Sequence, residues 1–241
     1  MPHARRLSSN RLIAVLLLAL TPGVAMAEPC VVLLHGLART AASLWLLESR
    51  LEDAGFHVVN ETYPSTETPL PDLTATVPPP RIAACAGRRP IHFVTHSMGG
   101  IIIRGYLAQH RIDGLGRLVL LGPPNKGSEL IDAFADLPGF DWLNGPAGAA
   151  LSADVDSIPN MISDGAATFG VIAGDLSLNP AYSSIIPGPD DGKVSVEATK
   201  FAAMSDHIVL PVSHTFMMNS RDVADQTIHF LTTGAFQRPK D

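Results

Sequence analysis

From residue 31 onward, short runs of consecutive apolar residues alternate with stretches in which apolar positions recur every three or four residues. Val31-Val32-Leu33-Leu34 is too short for a buried helix and rich in β-branched residues, so it predicts a strand covered on both faces. Leu44, Leu47, Leu51 and Ala54 then keep helical spacing up to Gly55, a residue suited to ending a helix. The same alternation predicts strands over 57–60, 91–95, 117–121, 170–173 and 207–210, with a helix over 99–109. A terminal amphipathic helix is marked by Val223, Thr227, Phe230 and Leu231. Strands separated by helices imply an α/β domain with a mainly parallel sheet and helices on both faces.

Two stretches break the pattern. Residues 64–80 are dense in Pro and Thr and predict an extended connection with at most a short helix. Residues 137–169 are rich in Gly, Pro, Ala and Asp without sustained period, and predict a small cap or loop insertion of the kind that covers binding sites. The aromatic residues divide accordingly. Trp45 and Tyr106 lie in helical patterns and are expected to pack in the core, whereas Phe140 and Trp142 lie in the cap region, where they are expected to touch substrate.

Ahead of the domain, Arg5, Arg6 and Arg11 precede an apolar run over 12–20, and Ala25-Met26-Ala27 supplies small residues at a cleavage point. Residues 1–27 therefore read as a signal peptide, with residues 28–241 the mature domain, exported to the periplasm or secreted. The chain is 46% apolar and 17% charged, with formal charge −6, and losing three N-terminal arginines makes it more acidic still. That composition excludes a disordered chain and argues against nucleic acid as a partner. Cys30 and Cys85, exported into an oxidising compartment, are expected to form a disulfide.

The segment Thr95-His96-Ser97-Met98-Gly99 carries the sharpest chemical signal. An apolar strand runs straight into Ser97 and a helix begins at once, which is the context of a nucleophile elbow. A serine in this turn is exposed above the sheet, and the helix N-terminus favours negative charge beside it. Thr95 stands where the usual motif has glycine, so the turn must accept a β-branched side chain.

On these residues the chain resembles the α/β-hydrolase superfamily, in particular its bacterial lipases and esterases. Leu34-His35-Gly36-Leu37 is similar to the loop that supplies an oxyanion-hole amide, Gly122-Pro123-Pro124-Asn125-Lys126-Gly127-Ser128 to a segment lining the site, and Asp190-Asp191-Gly192-Lys193-Val194 to the acid loop. The resemblance implies Ser97 as nucleophile, His214 as base and Asp191 as acid, with the backbone amides of Leu37 and Met98 as oxyanion donors. His207 opens a predicted strand and His229 falls on a solvated helix face, so they are weaker bases; Asp175 and Asp190 stay open as rival acids. His35 is expected to fix the oxyanion loop and His96 to be locked into the elbow. The implied reaction is hydrolysis of a small-molecule ester or lipid through an acyl-enzyme, with no cofactor and no metal, and with lipid-surface contact left open. Acyl transfer on the same triad, or a non-catalytic binding module on this scaffold, are the alternatives. The resemblance also places Cys30 and Cys85 at the end of the sheet opposite the site.

Overall fold

A computed structural model describes residues 28–134, 140–154, 158–162 and 167–238. The expected signal peptide and residues 135–139, 155–157 and 163–166 of the expected cap lie outside the described residues. Chain order is β1 (Cys30–Leu34), α1 (Trp45–Asp53), β2 (His57–Asn60), α2 (Leu70–Thr76), α3 (Pro78–Ala84), β3 (Ile91–His96), α4 (Met98–Gln109), β4 (Leu115–Leu121), α5 (Glu129–Phe134), α6 (Phe140–Ala149), α7 (Ile158–Met161), β5 (Thr168–Gly174), α8 (Pro180–Ser183), β6 (Met204–Leu210) and α9 (Arg221–Thr233).

The six strands form one parallel sheet in the order β2-β1-β3-β4-β5-β6. Successive strand residues point to opposite faces, so each strand feeds two cores. Val32, Leu34, Phe93, Leu118, Leu120 and Val171 join α2 and α4 on one face. Val31, Leu33, Val94, Val119, Leu121 and Ile172 join α1 and α9 on the other. All six strands run the same way, so their carboxyl ends share one edge of the sheet, where ligands of open α/β sheets bind.

The Pro-rich connection is where the sequence reading and the fold part company. Residues 64–80 hold α2 and the start of α3, two consecutive seven-residue helices. Proline density masked them, but each helix carries its prolines at its first turn, where no intrahelical N–H bond is lost. Leu70, Leu73 and Val77 then bury against the core at helical spacing. The cap region likewise contains α6 and α7, and Ala147 and Leu151 pack into the main core. Gly145 breaks α6 at φ 64°, against the backbone of Thr66, which leaves no room for a Cβ. The side chains of Phe140 and Trp142 lie outside what is described.

Trp45, expected in the core, is 60% exposed. It sits two residues from Leu47, nearly opposite it round the helix, and the apolar stripe of Leu44, Leu47 and Leu51 leaves it outside. Tyr106 does pack against the core, with its ring 4.5 Å from that of His110. His207 lies within β6 rather than at its opening. Cys30 and Cys85 form a disulfide between the first residue of β1 and the end of α3, at the sheet edge away from the strand carboxyl ends.

Candidate active site

Ser97 is the single residue between β3 and α4, and it holds φ 54° and ψ −122°. Side chains with a Cβ rarely adopt that conformation, so packing on every side must impose it. Gly36 and Gly99 provide the space: a Cβ on Gly99 would lie 2.5 Å from the Leu34 carbonyl oxygen, and one on Gly36 3.1 Å from the Ser97 Cβ. Gly100 answers the threonine at 95. A Cβ there would sit 3.4 Å from the Thr95 hydroxyl and 3.1 Å from Pro123, so the bulk added at 95 is accommodated by bulk missing at 100.

The structure brings Ser97, His214 and Asp191 into one hydrogen-bonded line. His214 Nδ1 lies 2.7 Å from Asp191 Oδ2, and His214 Nε2 lies 3.1 Å from Ser97 Oγ. Asp191 and His214 are both buried. A carboxylate can only accept from Nδ1–H, which leaves Nε2 free to accept from the Ser97 hydroxyl. Asp191 Oδ1 accepts the N–H groups of Lys193 and Val194 at 3.0 and 2.8 Å, so the acid is fixed on both oxygens. Gly192, at φ 93°, permits the tight turn that brings those amides round.

The rival residues are placed elsewhere. Asp175 is exposed at the end of β5. Asp190 accepts from Gly192 N–H at 2.7 Å and the Ser183 hydroxyl at 3.0 Å. His207 Nε2 meets Thr199 Oγ1 at 2.9 Å, and His229 is half-buried on α9.

Beside Ser97, Met98 is the first residue of α4, so the helix itself offers no acceptor for its N–H. The Leu37 N–H is oriented by an indirect device. His35 Nδ1 lies 2.9 Å from the Gly36 carbonyl and donates to it, and the Gly36–Leu37 peptide is planar, so fixing that carbonyl fixes the direction of the Leu37 N–H. His35 Nε2 in turn accepts from Tyr63 N–H at 3.2 Å, the Tyr63 ring stacks on the imidazole at 3.9 Å, and the Tyr63 hydroxyl donates to the His35 carbonyl. Burial pushes the His35 pKa down to about 4, so it stays neutral and keeps this tautomer.

His96 Nε2 donates to the His214 carbonyl at 3.0 Å. Complete burial, and secondarily the neighbouring His214, Arg39 and Lys193, hold its pKa well below 6.5. A neutral His96 thereby ties the elbow to the loop carrying His214. The 122–128 segment serves both sides: Gly122 packs against Asp191, Ser128 donates to the Lys193 carbonyl at 3.0 Å, and Asn125 turns inward to Arg104 and Thr199. Tyr63 and Arg39 lie outside the segments that the sequence marks, and Lys193 lies within the acid loop with no role of its own expected there; for Arg39 the available signal is that it stands two residues from Leu37. Among the described residues, no group of three or more His, Cys, Asp or Glu side chains is arranged to hold a metal ion.

Comparison with solved structures finds the same fold in lipase BlEst2 of Bacillus licheniformis. Its mature form matches at 17% identity and a TM-score of 0.67, over 86% of this chain and 92% of that one. Its propeptide form matches at 17% identity and 0.66, over 89% of this chain and 52% of that one. A metagenomic carboxyl esterase, MGS0156, matches at 17% identity and 0.58, over 80% of this chain and 66% of that one. No protein of curated function matches the sequence. The family model described as "Alpha/beta hydrolase family" matches residues 31–227, a span that runs from β1 into α9 and includes Ser97, Asp191 and His214. The chain belongs to the alpha/beta hydrolase family.

Proposed function

We propose that this protein is an exported serine hydrolase that cleaves carboxylic esters. The observation that carries the reading is the unbroken line from Asp191 through His214 to Ser97, ending on a serine at positive φ just ahead of α4. Ser97 Oγ attacks the ester carbonyl while His214 Nε2 takes its proton, and Asp191 stabilises the imidazolium. The carbonyl oxygen becomes an oxyanion facing the Leu37 and Met98 N–H groups. Collapse expels the alcohol, which receives the proton from His214, and leaves an acyl-Ser97 ester. Water, deprotonated by His214, then attacks that ester and releases the carboxylic acid and free Ser97. That the structural neighbours include a lipase and a carboxyl esterase agrees with this reading. Export is supported by the disulfide, and among the described residues no helix is long and apolar enough to cross a membrane.

The test is Ser97→Ala. The wild-type protein should label with a fluorophosphonate probe and hydrolyse 4-nitrophenyl butyrate, and the variant should do neither while melting at or above the wild-type temperature. Undiminished turnover by the variant would reject the assignment.

A further inference from the structure

The loop after β1 is held from outside itself. Among the described residues, no backbone N–H from Leu37 to Thr40 finds a backbone acceptor. Two peptide planes flank Leu37, and each is held at one atom. In the plane before it, the Gly36 carbonyl accepts from His35 Nδ1 at 2.9 Å. In the plane after it, the Ala38 N–H donates to Ser65 Oγ at 3.1 Å. With both planes fixed, the two backbone torsions of Leu37 are fixed, and with them the direction of its N–H.

Both holds lead back to one short segment after β2. Tyr63 grips His35 at a ring nitrogen, at the ring face and at the carbonyl, and Ser65 takes Ala38 directly. The Ser65 N–H donates to the Tyr63 carbonyl at 2.8 Å, which closes the segment into a tight turn. Two helices back it. From α3, Arg81 Nη2 donates to the Glu61 and Thr62 carbonyls at 3.2 and 3.1 Å, with its guanidinium 5.5 Å from the centre of the Tyr63 ring. From α6, Gly145 seats on the Thr66 carbonyl so closely that a Cβ would overlap it.

Tyr63 and Ser65 are each only 4% exposed. A buried hydroxyl is unfavourable unless it is bonded, and a core that needed volume alone would be served by Phe and Ala. Here each hydroxyl ends on the loop, one at the residue two before Leu37 and the other at the residue after it.

We propose that Tyr63 and Ser65 are positioning residues for the reaction, which together aim the Leu37 N–H at the oxyanion formed when Ser97 attacks. The proposal rests on the hydrolase reading above, and the two fail separately.

Tyr63→Phe deletes one hydroxyl and keeps the ring and the main-chain N–H. Ser65→Ala deletes the acceptor for Ala38. Each is compared with wild type on 4-nitrophenyl butyrate, with kcat expressed per site titrated to completion by a fluorophosphonate, so that unfolded molecules drop out. Losing an oxyanion donor lowers kcat by about 10²–10³, and misdirecting one should lower it less, so kcat per site should fall roughly tenfold in each variant while KM stays within about twofold. A trifluoromethyl ketone of matching chain length separates aiming from packing. Ser97 Oγ bonds to its carbonyl carbon, the hydroxyl proton passes to His214, and the carbonyl π pair becomes an alkoxide in the oxyanion position. The Ki of this ketone should rise by the same factor as kcat falls. A kcat per site within about twofold of wild type overturns the role of the residue substituted, even if Tm falls, because the hydroxyl then serves the fold alone. A lowered kcat with an unmoved Ki also overturns it, since the loss then lies away from the oxyanion. Failure of the hydrolase reading shows instead as ester turnover that survives Ser97→Ala.

Discussion

Gly99→Ala is the substitution that most directly couples packing to chemistry in this fold. In an ordinary helix the change would be favourable by about 1 kcal/mol, since glycine is the poorer helix former. Here the new methyl would lie 2.5 Å from the Leu34 carbonyl oxygen and 3.0 Å from that of His35, where ordinary contact begins at 3.4 Å. Both obstacles are backbone, so neither can rotate away. The N-terminus of α4 must part from the end of β1 by about 0.9 Å at the closest point, a forced expansion of a kind that costs about 1–3 kcal/mol. At roughly 2–4 °C per kcal/mol for a chain of this size, Tm should fall by several degrees. The same parting separates Met98, on α4, from the loop carrying Leu37. Losing one oxyanion donor costs about 10²–10³ in kcat, and the expected effect on 4-nitrophenyl butyrate hydrolysis is a fall toward that range with KM little changed. Gly55→Ala is the control: it places alanine at φ 89° with nothing within 4 Å, so it should lower Tm and leave kcat alone. A Gly99→Ala protein with kcat within twofold of wild type would refute the claim that this contact sets the distance between the two amides.

Two further outcomes can be measured on stability alone. The Cys30–Cys85 bond closes a loop of sequence separation 55, worth about 4 kcal/mol in the chain-entropy model. Cys30→Ala/Cys85→Ala should therefore melt roughly 8–16 °C lower yet keep fluorophosphonate labelling at 25 °C, and a Tm shift under about 2 °C would contradict it. Acid sensitivity follows from the buried histidines. His35 and His92 have pKa values pushed down by burial to about 4 in the fold, against 6.5 as the ordinary value. Between those values the unfolded chain binds protons that the native state refuses, so the contribution of these two histidines to stability should be complete above about pH 6.5 and be lost as pH drops towards 4, a loss of the order of several kcal/mol. Urea midpoints at pH 7, 6, 5 and 4.5 report this. His92, whose Nδ1 accepts the Arg117 N–H, gives a cleaner variant than His35: His92→Gln should flatten the slope, and an unchanged slope would show that the acid sensitivity lies elsewhere.

The sheet and the strand-to-helix turn at Ser97 could be read from the sequence because both rest on local rules. A buried parallel strand must be apolar on both faces, and a strand meeting a helix at one serine has few geometries open to it. Asp191 was harder: Asp175 and Asp190 share its neighbourhood in sequence, and the choice depends on which carboxylate the 192–194 turn points at His214, a matter of tertiary placement. The helices in 64–80 were hidden because proline counts against a helix everywhere except its first turn, and the register of those turns is invisible until the core fixes it. Trp45 misled for the opposite reason. Its helix was legible, but an aromatic residue one position off the apolar stripe is outside, however apolar it is. Tyr63 reaches His35 across 28 positions, and Arg39 reaches Thr215 across 176; no pattern along the chain carries pairings of that span.

The backbone at Ser97 sets a ceiling on how robust this molecule can become. A residue with a Cβ held at φ 54° carries a cost of about 1–3 kcal/mol that glycine would not. Glycine has no hydroxyl to offer His214. On the proposed mechanism, the substitution that would relieve this backbone also removes the nucleophile, so relief at position 97 would come at the expense of the reaction, and added heat tolerance has to be found elsewhere in the chain.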